Sequence, residues 1–133
     1  MRRNIFVMVL LSLMLLVGYG EAKEAPQGIL EATNYTQIQP NIGKMPMLLE
    51  FGSTSCASCV EMGKLLYRAK QEYPQSAIYF VEVYQDMTVT KNYKIQIIPT
   101  QIYLHSKGEE VDRHMGLVTY EQLIAKLKEE KII

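Results

Sequence analysis

The chain of 133 residues has no tryptophan, three phenylalanines, two histidines, two cysteines and no net charge at neutral pH. Two cysteines cannot make a disulfide-rich scaffold, in which several bridges stand in for a core. Fourteen basic residues against fourteen acidic ones leave no field to gather nucleic acid or an anionic membrane surface. A basic patch with interleaved aromatics is also missing. So few cysteines and histidines offer no evident set of four converging ligands for structural zinc. Nothing in the sequence calls for a cofactor or a metal. No internal repeat and no second domain can be read. The one long apolar run, Ile5 to Val17, is broken only by Ser12 and falls short of the ~20 residues of a membrane-spanning helix.

That run has its own pattern. Arg2 and Arg3 precede it, and Gly18, Gly20 and Ala22 follow it. A positive start, an apolar centre and small residues at a cleavage point are the marks of a secretory signal peptide. Residues 1–22 are therefore expected to be a signal peptide cut after Ala22, with an uncleaved N-terminal anchor as the competing reading. No cysteine near the cut excludes a lipid anchor on that residue. Residues 23–33, with Pro26 and Gly28, read as a polar lead-in, and residues 34–133 as one small domain. The expected location is exported and periplasmic. Free thiols would not stay reduced there without a dedicated partner, so a cysteine pair either cycles or sits as a disulfide.

The two cysteines stand in Thr54-Ser55-Cys56-Ala57-Ser58-Cys59, after a strand-like segment and at the start of a helix-like one. A cysteine at the first turn of a helix faces unpaired backbone N–H groups and the positive end of the helix dipole. Both favour the thiolate, the reactive species. The competing reading is a structural disulfide. A bridge across two residues closes a tiny loop and removes little entropy from the unfolded chain, so it is a poor staple. The redox reading is the stronger one.

Around this motif the apolar pattern predicts a regular succession of elements. Pro46 to Phe51 reads as a buried strand, and Met62, Leu65, Leu66, Ala69 and Tyr73 recur at helical spacing before Pro74. Ala77 to Tyr84 is nearly continuous apolar and aromatic sequence, as expected of a central strand covered on both faces. Thr88 to Tyr93 suggests a short helix. Thr100 to Leu104 and Glu110 to Met115 form a hairpin around Ser106–Glu109, the second strand being an edge with Val111 and Met115 on its apolar side. Thr119 and Gln122 form a capping box for a last helix. Gly28 to Asn41 has mixed character, open to a short helix or a strand.

Three sets of residues then make the chain resemble the thioredoxin superfamily, in particular its exported members. They are Cys56-Ala57-Ser58-Cys59 after a strand, Ile98-Pro99-Thr100 at the distance of the family's cis-proline loop, and Gly108 in the hairpin with Gly116 before the last helix. The resemblance implies an α/β thioredoxin fold, a central mixed sheet of about four to five strands flanked by helices. It implies that Cys56 is the exposed nucleophile and Cys59 the buried resolving thiol of a redox-active disulfide. Pro99 would be cis, and Ile98, Pro99 and Thr100, with Ala57 and Ser58, would bind an extended stretch of substrate. Glu50, six residues before Cys56, stands where thioredoxins bury an aspartate and would take the proton of Cys59.

The departures are equally specific. Ser55 occupies the family's tryptophan position, Ala57-Ser58 replaces Gly-Pro, and Lys64 stands where a proline kinks the family's helix. Neither central residue of the motif carries charge, and the histidine of strongly oxidising members is absent. The preferred reading is a reductant of disulfides in exported proteins, apocytochromes before haem attachment among the candidate substrates. A membrane electron carrier would keep it reduced, and the chain would act as a monomer. Three alternatives stay open: a disulfide-introducing oxidase, a copper-binding module using Cys56, Cys59, His105, His114, Met45 and Met47, and a redox-inert peptide-binding domain.

Overall fold

The structure is a computed structural model that describes residues 24–133. The expected signal segment and its cleavage point lie outside the described residues.

Strand β1 (Met47–Gly52) is buried at every position and organises the rest. Side chains alternate across a strand, so its odd and even residues serve different layers. Met47, Leu49 and Phe51 join Ile38, Val81, Ile102 and Leu104 on one face. Leu48 joins Met62, Leu66, Ala69, Tyr103, Leu123 and Leu127 on the other. Each fully buried Leu or Phe of this kind stabilises the fold by about 1.5–3 kcal/mol. Helices on both faces explain why β1 has no polar side except at Glu50.

The first face is covered by α1 (Tyr35–Ile38) with its following 3₁₀ turn (Gln39–Asn41), and by α3 (Met87–Asn92). The second is covered by α2 (Ala57–Glu72) and α4 (Tyr120–Glu129). Strands β2 (Ile78–Glu82), β3 (Thr100–Leu104) and β4 (Glu110–Met115) complete a four-stranded mixed sheet in the order β2-β1-β3-β4. Among these four strands only the β1–β2 pairing is parallel. The capping box of α4 forms as its sequence predicts: the Thr119 hydroxyl accepts from the Gln122 N–H, and the Gln122 side chain accepts from the Thr119 N–H. Among the described residues no helix is long and apolar enough to cross a membrane.

Two expectations about strands need correction. β2 is not central but ends the sheet order. It reads as central because helices cover both its faces, and composition does not record what lies along a strand's edge. That edge is partly closed by the preceding chain: Ala32 forms a parallel bridge with Phe80, and the Thr33 N–H donates to the Phe80 carbonyl at 2.8 Å. Residues 28–33 thus run along α2 and β2, with the Leu30 N–H bonded to the Gly63 carbonyl at 3.0 Å. β4 is an edge strand as expected, yet Val111 and Met115 are 46% and 55% exposed. The ladder shifts register between Tyr103 and Leu104, pairing them with Asp112 and Glu110 and leaving Val111 as the extra residue of a bulge.

Candidate redox site

The chain leaves β1 at Gly52, and the reason for glycine is spatial. A Cβ there would stand 3.0 Å from the Phe80 ring and 3.2 Å from the Cys59 Cβ. Bare backbone lets α2 start directly against the strand end. A turn from Ser53 to Cys56 follows, closed by the Cys56 N–H on the Ser53 carbonyl at 3.2 Å. The Ser53 hydroxyl supports it from inside, accepting from the Ser55 N–H at 3.2 Å and contacting the Ser55 hydroxyl at 2.9 Å.

This turn makes Cys56 the N-cap residue of α2. Its Sγ accepts from the Cys59 N–H at 3.3 Å, and the Ser58 hydroxyl lies 3.4 Å away. Cys56 and Cys59 form a disulfide with Cα atoms 5.2 Å apart. Cys56 is half-buried and Cys59 fully buried, so only the leading sulfur is open to another molecule. When the bridge opens, a thiolate on Cys56 keeps the helix N-terminal N–H groups as donors.

Glu50 lies on the α2 side of β1 and is fully buried. Neither carboxyl oxygen has a hydrogen-bond partner among the described residues. Loss of water pushes its pKa up to about 8, only partly relieved by nearby Gln101, its register partner on β3. One N–H of the Gln101 amide donates to the Gly116 carbonyl at 3.2 Å. A carboxyl of this pKa changes protonation near neutral pH and is matched to a thiol.

The Ile98–Pro99 peptide bond is cis. Thr100 pairs with Phe51, which puts Pro99 at the end of β1 where the cysteine turn begins. The Pro99 carbonyl accepts from the Gly116 N–H at 2.8 Å, and Gly116 adopts the positive φ of 101° that favours glycine. Of the residues expected to meet substrate, Ala57 is exposed, Ser58 and Ile98 are half-buried, and Pro99 and Thr100 are buried. The Thr100 hydroxyl donates inward to the Ile97 carbonyl at 2.7 Å and shapes the loop. Exposed Ile97, Met115 and Leu117 flank this loop in sequence or register, a set that the sequence reading missed. Buried Glu82 was missed as well, although a charged residue inside the apolar run Ile78–Val83 was a visible signal.

The residues considered for copper do not converge. Met47 is a core residue paired with Leu104, so Met45 and His105 lie at the opposite end of β1 from the cysteines. His114 is exposed on β4. Among the described residues no three His, Cys, Asp or Glu side chains group to hold a metal ion.

The profile of the Thioredoxin family matches residues 28–129. The chain belongs to the thioredoxin family. Its solved structural neighbours include mitochondrial thioredoxin 3 of Saccharomyces cerevisiae in the oxidized form, with TM-score 0.62, 22% identity and coverage of 76% of this chain and 94% of that one. Fasciola hepatica thioredoxin matches with TM-score 0.62 and 22% identity over 72% and 89% of the two chains. A mutant thioredoxin from Halobacterium salinarum matches with TM-score 0.65 and 18% identity over 78% and 91%. No curated protein sequence matches the chain. At such identities these neighbours speak for the fold, a thioredoxin fold built on a four-stranded sheet. The family and the Cys56–Cys59 disulfide together make this thioredoxin-family protein a thiol–disulfide oxidoreductase in the general sense.

Proposed function

We propose that the protein is an exported reductant of disulfides in other exported proteins. The observation that carries the reading is the placement of the pair: a half-exposed Cys56 at the start of α2, and a buried Cys59 on the face that holds Glu50. In the reduced protein the Cys56 thiolate attacks one sulfur of a substrate disulfide, and the other leaves as a thiolate that takes its proton from water. Cys59 then gives its proton to the Glu50 carboxylate and attacks the Cys56 sulfur, which releases the second substrate sulfur as a thiolate that water protonates. Two electrons pass to the substrate and the Cys56–Cys59 bridge re-forms. A donor thiolate reverses the sequence, and protonated Glu50 returns its proton to the departing Cys59.

The loop of Ile98, Pro99 and Thr100 lies at the same end of β1 and offers backbone to an extended substrate. Apolar Ile97, Met115 and Leu117 favour substrates with apolar residues beside their cysteines. The uncharged Ala57-Ser58 dipeptide leaves the thiolate without an added cation, which supports a donor over a strong oxidant. Residues 1–22 direct export, and a membrane electron carrier of the dithiol type keeps the pair reduced in an oxidising compartment. Apocytochromes awaiting haem are one substrate class with the required cysteines.

The test is insulin reduction with dithiothreitol by residues 23–133, combined with the reduction potential against glutathione. Wild type should accelerate precipitation of insulin chains and Cys56→Ser should not. The potential should fall near the thioredoxin range of about −270 mV. A potential near −120 mV, that of a strong oxidase, would reverse the assigned direction. Equal activity of Cys56→Ser would remove the redox role.

A further inference from the structure

Glu50 is one of two charged side chains buried in the described residues; the other is Glu82. Glu82 ends β2, its Cα opposite Gly52, so the two acids occupy the same face of neighbouring strands. It is 6% exposed. No cation accompanies it among the buried residues. One carboxylate oxygen, Oε1, is buried without a hydrogen-bond partner among the described residues. The other, Oε2, accepts the Thr54 N–H at 2.9 Å.

A buried carboxylate is costly unless its hydrogen bonds compensate. Here the compensation is a single charge-assisted bond, made to the first corner of the turn that presents Cys56. The turn's own closing bond, from Cys56 to Ser53, leaves the Thr54 N–H free to point into the protein. Beside it the Val83 N–H donates to the Gly52 carbonyl at 3.0 Å, tying the end of β2 to the residue before the turn. The end of β2 thus holds both Gly52 and Thr54. Two residues beyond Thr54, Cys56 must meet the N–H groups of α2 for its thiolate to be stabilised.

We propose that Glu82 is a positioning residue of the redox centre, its carboxylate fixing the turn that places Cys56 Sγ at the N-terminus of α2. The proposal deepens the reading of Cys56 as the nucleophile and acts through that residue, not on substrate. The other charged groups near this end differ in their ties. Glu50 lies beneath on β1, the Asp86 carboxylate accepts from the Tyr35 N–H at 3.2 Å, and Glu61 and Lys64 on α2 pair with each other in solvent at 2.7 Å.

The experiment measures alkylation of reduced protein by iodoacetamide from pH 5 to 10, with insulin reduction alongside, for wild type, Glu82→Ala and Glu82→Gln. Glu82→Ala should move the midpoint of Cys56 alkylation up by about 0.5 pH units, since loss of an aligned helix terminus is worth a fraction of a unit. It should slow insulin reduction by about three- to tenfold, the loss expected of one displaced hydrogen bond to a charged group. Glu82→Gln keeps an acceptor of the same shape and should return both readings to within about twofold of wild type. An unmoved midpoint in Glu82→Ala, even with a lowered melting temperature, would reduce Glu82 to a structural residue and overturn the proposal. A downward shift in both variants would overturn it too, marking the carboxylate as a charge opposing the thiolate. The midpoint is read without any substrate disulfide, so it decides the role of Glu82 even if wild type fails to reduce insulin.

Discussion

Glu50 is a fully buried carboxyl with no hydrogen-bond partner among the described residues, its pKa pushed up to about 8 by loss of water. Such a group is tolerated because it is mostly protonated at neutral pH, where it costs little more than an unmet polar group, while its ionised fraction is what accepts the Cys59 proton. Replacing it by Gln keeps size and polarity but removes the transferable proton. Glu50→Gln should slow disulfide exchange about 10–100-fold at pH 7, the range expected of a lost general acid–base. It should also abolish the rate inflection near pH 8. Stopped-flow exchange with a model disulfide between pH 6 and 9 checks this, and matching wild-type and variant profiles would remove Glu50 from the mechanism. The position of Glu50 was legible because a lone acid stands among Leu48, Leu49 and Phe51, six residues before Cys56. Its isolation was not. That depends on the register that sets Gln101 beside it, with an amide that bonds the Gly116 carbonyl.

At the scale of elements, the helix that carries the cysteines is set by the strand before it. β1 ends in a glycine because α2 begins almost on top of it, with Phe80 of β2 closing the remaining side. Gly52→Val should therefore cost about 1–3 kcal/mol of stability, as overpacking of a core does. It should also shift the reduction potential, because the Cβ meets Cys59 directly. Chemical denaturation and glutathione titration measure the two effects, and a variant unchanged in both would show that α2 is free to move off the strand. The elements themselves were readable from periodicity. β3 and β4 run over the residues predicted, and α2 stops at Glu72, just before Tyr73 and Pro74. What was not readable was the position of β2 at the sheet margin and the outward turn of Val111. Each is set by which strand or bulge lies alongside, and neither leaves a period in the sequence.

For the whole molecule, the burial of Glu50 links folding to pH. Folded Glu50 keeps its proton up to about pH 8, whereas unfolding returns it to an ordinary value near 4.5. Between these values the folded state binds the extra proton, so stability is greatest at the acid end and falls as pH rises toward 8. The slope from this one group is at most about 1.4 kcal/mol per pH unit. Melting temperature should therefore drop from pH 5 to 8 more steeply in wild type than in Glu50→Gln, and parallel curves would mean that the carboxyl is solvated. The cluster of Lys126 with Asp112, Glu129 and Glu130 bears less on this, because ion pairs near the surface contribute little to stability.

Some of this protein was settled by its sequence alone. The adjacency of Cys56 and Cys59, their place at a helix start, the order of strands and helices and the cap at Thr119 are local properties, and short-range spacing encodes them. Tertiary structure alone decided which buried group faces which. Glu50 lacks a partner, Glu82 reaches the Thr54 amide, and Pro99 reaches the cysteine end of β1 because antiparallel register brings distant residues together. Such contacts join segments that are far apart in the chain, and only the packing of helices on both faces of the sheet shows which side chains lose water and what they find in its place.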